Sequence, residues 1–181
     1  VDAAMPVMIM RAEDIGKTGY ETAAELSADD AFFARVEPMR HEAGKRMGLG
    51  DVSGKVVPKI IIAAAPRGDG NIASRYFVPD KPHETHAITG GIALAYACLA
   101  EGTVVHPLAK PLDAGDWPKV SIEHPVGQLH LTLTLRDDGA GAEIEAAGIV
   151  RTARMIMQGG VMIPERVLPH DKTAVSTSEN T

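Results

Sequence analysis

The densest concentration of chemically usable side chains lies in residues 75–91, RYFVPDKPHETHAITGG, where a strand-like run feeds a proline-rich loop ending in Thr89-Gly90-Gly91. A glycine pair opening a helix exposes backbone N–H groups, and with the helix dipole these make an anion seat worth about 0.3–1 kcal/mol, rising to roughly 2 when partly buried. A carboxylate or an enolate oxygen suits it. His83 and His86 stand just before the glycines as candidate substrate contacts. Thr89 offers a capping hydroxyl, and Arg75 supplies a guanidinium able to pair with a carboxylate, so several polar groups can converge on one concavity. The competing reading is that Gly90 and Gly91 only permit close packing of helix on sheet, and that a loop histidine is solvent-exposed and idle.

Other chemistries fit less well. His83 and His86 stand at i, i+3 on a loop, unlike the helical H-E-x-x-H arrangement of metalloproteases, so no metal is expected, although a metal hydrolase is the reading they would otherwise invite. Cys98 falls deep in an apolar run, as a small filler would. Lys59 lies inside Val56-Val57-Pro58-Lys59-Ile60-Ile61 and has two readings. If buried, its pKa is pulled down toward the range of a working base. If Pro58 marks an edge strand, the ammonium simply points to water. Arg151 and Arg154 could also meet an anion, but strand alternation leaves their direction open.

The elements that position these groups follow from periodicity. Residues 5–10 read as a buried strand and residues 11–20 as a loop. Ser27, Asp29 and Asp30 open an amphipathic helix over residues 29–47, with Phe32, Val36, Met39, Ala43 and Met47 at helical spacing and a break expected near Pro38. Residues 56–64 and 73–78 form neighbouring strands. Residues 91–100 are apolar on every side, the mark of a helix buried all round. Leu129, Leu131, Leu133 and Leu135 alternate with polar residues as a half-buried strand does. A turn at residues 137–141 returns residues 143–157 as its antiparallel partner, with Gly148 as a bulge. The sum is α+β: a mixed or antiparallel sheet curled around one buried central helix.

Composition narrows the function class. The 181 residues suit one lobe, with residues 1–167 as its body and residues 168–181 as a polar, disordered tail. A net charge of −6 with scattered basic residues argues against nucleic acid. No apolar run approaches the roughly 20 residues a membrane helix needs, and no signal-peptide pattern precedes them, so a cytoplasmic protein is expected. A single cysteine excludes an internal disulfide. The chain opens on Val1 and runs straight into an apolar strand, which looks like a polypeptide entered midway.

Four stretches together carry a resemblance: GLGDVSGKVVPKIIIAAAP (48–66), PHETHAITGGIALAYA (82–97), IEHPVGQL (122–129) and RTARMIMQGGVMIP (151–164). Over residues 1–167 the chain resembles the C-terminal half of the 4-oxalomesaconate tautomerase and 2-methylaconitate isomerase family. The resemblance implies a lobe of the diaminopimelate epimerase type and an active site shared with an N-terminal lobe that carries the principal acid/base lysine and a cysteine. It further implies a cofactor-independent 1,3-proton shift on a small polycarboxylate. A second cysteine that would begin the central helix in such epimerases is replaced here by Ala87-Ile88-Thr89, so two-thiol racemisation is not expected. The partners implied are the polycarboxylate and the N-terminal lobe, with a homodimer as a further option. The contrasting expectation is a stand-alone ligand-binding or dimerisation module without catalysis.

Overall fold

Six strands make one mixed sheet whose spatial order follows the chain: β1 (Val7–Arg11), β2 (Lys59–Ala64), β3 (Ile72–Phe77), β4 (Lys119–His124), β5 (Gly127–Asp137) and β6 (Ala142–Ile149). The computed structural model describes residues 1–78, 80–112, 117–137, 142–149, 151 and 153–167. β1 is parallel to β2 and β3 parallel to β4, while the pairs β2/β3, β4/β5 and β5/β6 are antiparallel. Parallel neighbours need long crossovers. The first supplies α1 (Ala23–Ser27) and α2 (Asp30–Arg46), and the second supplies α3 (Ile88–Leu99).

The two crossovers cover opposite faces. Phe32 and Val36 of α2 and Leu26 of α1 pack with Ile60, Ile62 and Phe77 on one side. Ala93, Leu94, Ala97 and Cys98 of α3 pack with Ile61, Tyr76, Val120, Leu131 and Leu133 on the other. α3 touches β1, β4, β5 and β6, so the sheet curls around it as the pattern predicted. Each fully buried leucine on β5 contributes about 1.5–3 kcal/mol relative to exposure.

Several expectations are corrected in detail. α3 begins at Ile88 rather than residue 91, because Ala87 is already its extended N-cap. It is also not sealed on every side: Ile92, Tyr96 and Leu99 are half-buried and Ile88 is exposed. α1 was unanticipated, although Thr22 and Glu25 form a reciprocal capping box at its start. α2 runs unbroken through Pro38. A proline inside a helix costs about 3 kcal/mol, and here the following turn is held by Arg40, 1% exposed. Its guanidinium donates to the Glu37 carboxylate and to the carbonyls of Val52, Lys55 and Val57.

β6 stops at Ile149 instead of continuing to residue 157. The register shift lies between Thr134 and Leu135, whereas Gly148 pairs in register with Thr132. A Cβ at Gly148 would stand 2.4 Å from the Thr132 hydroxyl oxygen, so the glycine serves close approach rather than a bulge. The chain divides into the units Val1–Val150 and Arg151–Thr181. In the second, the described side chains of residues 151–164 are exposed, and regular structure is confined to one 3-10 turn, Glu165–Val167. The expected turn at residues 137–141 lies mostly outside the described residues, and the tail at 168–181 lies wholly outside them. Among the described residues no helix is long and apolar enough to cross a membrane.

Candidate functional site

The sheet is joined at its middle by only two register pairs, Ile72 with Ile122 and Ala73 with Glu123. Beyond them β3 continues to Phe77 while β4 ends at His124, where Pro125 begins the turn into β5. The divergence opens a concavity of about 430 Å³ lined by Tyr20, Arg75, Glu123, His124, Gly127 and Gln128, among others.

Arg75 is the buried charge of this concavity, 5% exposed. Its Nε donates to the Glu21 carbonyl at 2.6 Å and one terminal nitrogen donates to the Ser74 carbonyl at 2.8 Å. Among the described residues no carboxylate pairs with it. Burial lowers its pKa, opposed by the charges of Glu21, Tyr20 and Glu123. The Tyr20 ring lies 5.6 Å from this guanidinium and 3.8 Å from that of Arg67.

Glu123 is already occupied. Its carboxylate accepts the N–H groups of Arg67, Gly68 and Gly70 at 3.1, 2.8 and 3.0 Å. A side chain on Gly68 would place its Cβ 2.8 Å from the Glu123 Oε1, and one on Gly70 2.6 Å from the Glu123 Cγ, so the loop can present its amides only without them. Glu123 therefore cannot serve as a free base.

The histidines divide by role. The Nδ1–H of His86 donates to the Ala87 carbonyl at 3.0 Å, which leaves Nε2 to accept from the Ser74 hydroxyl at 3.2 Å. Burial pulls its pKa down to about 4, opposed by the Ala87 carbonyl and aided by His124 and His83. His86 is thus a neutral, fully partnered post rather than a free substrate contact. Nδ1 of His83 accepts from the Thr85 amide at 3.1 Å and faces its hydroxyl at 3.0 Å, which places the ring proton on Nε2. That N–H has no partner among the described residues.

The helix mouth differs from the sequence expectation. Thr89 is exposed and makes no capping bond, because the N-cap is Ala87. Gly91 is not bare: its N–H donates to the Ala87 carbonyl at 2.8 Å. Among the described residues the first-turn amides of Ile88, Thr89 and Gly90 have no partner, as expected of helix N-terminal N–H groups without a side-chain cap. A Cβ on Gly90 would lie 2.2 Å from the Tyr76 ring, and one on Gly91 2.7 Å from Leu129. Both glycines are packing residues, the competing reading of the sequence.

Lys59 is not on an edge. β2 lies between β1 and β3, and Lys59 is 7% exposed. Burial, then the charge of Arg40, lowers its pKa. It does not line the concavity. Burial pushes the Cys98 thiol up to about 12, which fits a filler. Arg151 and Arg154 lie in the exposed segment after β6. Among the described residues no group of three or more His, Cys, Asp or Glu is placed to hold a metal ion.

His124 is the residue that sequence reasoning missed. Its Nδ1 is sealed from solvent and meets no hydrogen-bond partner of good geometry among the described residues. Burial lowers its pKa, aided by the charges of Arg75 and His83 and opposed by the Gln128 backbone. The available signal was a histidine followed by Pro125-Val126-Gly127, a strand end turning into a hairpin.

Comparison with known proteins places this arrangement. The PrpF protein family matches residues 1–164. A putative isomerase of Escherichia coli, YbhH, is 44% identical over 164 residues, which is 91% of this chain and 45% of that protein. A 4-oxalomesaconate tautomerase of Pseudomonas putida is 40% identical over 163 residues, covering 90% of this chain and 44% of that one. The crystal structure of a methylitaconate-delta-isomerase superimposes with a TM-score of 0.67 at 24% identity, over 83% of this chain and 44% of that chain, and shows the shared fold. The chain spans less than half the length of the curated relatives it matches.

Proposed function

The chain belongs to the PrpF protein family, and on that premise we propose that it is one wall of a cytoplasmic, cofactor-independent isomerase that shifts a proton within an unsaturated polycarboxylate such as 4-oxalomesaconate or 2-methylaconitate. The carrying observation is Arg75, a buried guanidinium that lines a concavity with no carboxylate partner among the described residues. Hydrogen bonds to a charged group of this kind contribute about 1.5–3 kcal/mol, and a substrate carboxylate is the partner the geometry supports.

The chemistry follows from what the wall offers. A base removes a proton from a carbon acidified by neighbouring carbonyl and carboxylate groups, the electron pair moves into the conjugated system, and an acid returns a proton at the vinylogous carbon. Positioning and donors to the enolate lower the barrier. The family resemblance implies that the principal acid/base pair lies in the other half of a longer polypeptide, and neither Lys59, outside the concavity, nor the occupied Glu123 is given that role here. Arg75 fixes a carboxylate within the concavity, whereas His83 and the first amides of α3 do not line it and enter this reading as further donors to the same substrate. His86 holds the start of α3 in place.

The test is solvent exchange. A polypeptide carrying both halves, incubated with the unsaturated tricarboxylate in D2O and with EDTA present, is expected to isomerise it and to incorporate deuterium at the newly protonated carbon. The 181-residue chain alone is expected to show none. Isomerisation abolished by EDTA and restored by a metal, or turnover by this chain alone at the rate of a two-lobed relative, would overturn the reading.

A further inference from the structure

Two apolar triplets after β6, Met155-Ile156-Met157 and Val161-Met162-Ile163, have no part in the proton shift as described. Their side chains are between 56% and 93% exposed. Residues 153–164 are described throughout and include no strand, and a Cβ added at Gly159 or Gly160 would meet nothing within 4 Å. The match to the PrpF protein family runs through residue 164. The triplets therefore belong to the part of the chain that the family match covers, and an uncovered apolar run of this length marks an interaction surface.

The spacing says what kind of cover they need. Successive residues of a strand point to opposite faces, so three apolar residues in a row make both faces apolar. Such a strand belongs in a sheet that is covered on both sides. Gly159-Gly160 between the two runs is a favoured two-residue hairpin connection, and Pro164 closes the second run, where a ladder must end. A lone two-stranded hairpin is marginal in water and gains stability against a larger sheet. Stacking on the same segment of a second copy would cover only one face. The relatives offer more: the matched region is 45% of the Escherichia coli protein, so more than half of that polypeptide lies outside it. Covalent attachment gives such a half an effective concentration of about a millimolar, which a second copy does not reach in dilute solution. We infer that residues 155–163 are a docking arm, which pairs as a hairpin with the sheet of the other half of a longer polypeptide and buries both of its faces there. The inference rests on the two-walled architecture of the isomerase reading and not on the reaction. The arm then joins the walls by main-chain hydrogen bonds as well as by the continuity of the chain.

Hydrogen exchange read on peptides spanning residues 153–164 tests the arm. In the 181-residue chain, diluted until monomeric, these amides are expected to exchange at the rate of an unstructured peptide. In a polypeptide carrying both halves they are expected to slow by about a hundredfold or more, at any protein concentration. The pair Ile156→Asp, Met162→Asp is expected to lower the melting temperature of that polypeptide by about 5–10 °C, and to move that of the 181-residue chain by no more than about 2 °C. Protection in the monomeric 181-residue chain would show that the arm is covered within it and would overturn the docking. Exchange that stays fast in the longer polypeptide, or a melting temperature there that the substitutions leave unchanged, has the same consequence. Protection that disappears on dilution also overturns it and assigns the arm to a second copy. Should the substituted polypeptide fail to fold, exchange in the wild type still decides. Solvent deuterium incorporation tests the reaction separately: isomerisation by a longer polypeptide whose arm exchanges freely removes the arm and keeps the isomerase.

Discussion

A histidine sealed from water must give up its proton unless a partner holds it, and His86 shows where that balance settles. At 6% exposure its pKa is held at about 4, against 6.5 for an ordinary histidine. The unfolded chain binds a proton at this side chain between those values and the folded chain does not. Its contribution to stability is therefore whole above about pH 6.5 and declines as pH falls toward 4, by up to about 1.4 kcal/mol per pH unit. Urea unfolding at pH 7.5 and pH 5 is expected to show a steeper loss for the wild type than for His86→Gln. Equal losses would mean that His86 is not held neutral. Carboxylates elsewhere add their own acid sensitivity to both proteins, so the difference between the two slopes is the informative quantity.

At the scale of elements, the start of α3 is where packing overrides propensity. Alanine in place of a helical glycine ordinarily gains about 1 kcal/mol. At Gly90 the new Cβ would meet the Tyr76 ring at 2.2 Å, and that ring is 1% exposed with no room to retreat. Gly90→Ala is expected to destabilise by about 1–3 kcal/mol, whereas Thr89→Ala, exposed one residue earlier, stays within about 0.5. Chemical denaturation of both variants checks this, and a stabilised Gly90→Ala would refute the packing role. The same turn shows what was legible in the sequence. The alternating leucines of β5 and the aliphatic run of β2 announced buried strands, and the apolar run of α3 announced a core helix, because period and hydrophobicity are local properties. The helix start was misplaced because Ala87 caps it without a side-chain bond, so glycine drew the boundary instead. β6 ends short of the apolar pattern because residues 155–163, as apolar as a strand, have no strand to pair with among the described residues. His124 was invisible as a site residue because it lines the concavity only together with Arg75, which lies on another strand. Only the two-pair junction of β3 and β4 brings them together.

For the whole molecule, the unusual surface is the segment after β6. Met155, Ile156, Met157, Val161 and Met162 are between 76% and 93% exposed. Soluble proteins seldom leave such a run uncovered, and an uncovered one seeks a partner. The 181-residue chain is expected to self-associate as concentration rises, and the double substitution Ile156→Asp, Met162→Asp to suppress this while shifting stability by no more than about 0.5 kcal/mol. Light scattering across a concentration series decides it: a wild type that stays monomeric throughout would show that these side chains find cover within one chain. The sheet itself has a mechanical character set by its middle. Two three-stranded rafts, β1–β3 and β4–β6, are stitched by two register pairs, lengthened at one end by Asn71, whose amide donates to the Ser121 carbonyl at 2.7 Å and whose side-chain oxygen accepts the Ser121 N–H at 2.8 Å. A joint with so few rungs yields to twist and shear before its neighbours do. Arg75 rides on one raft and His124 on the other, so the gap between them is the dimension of the concavity that warping of the sheet adjusts most readily.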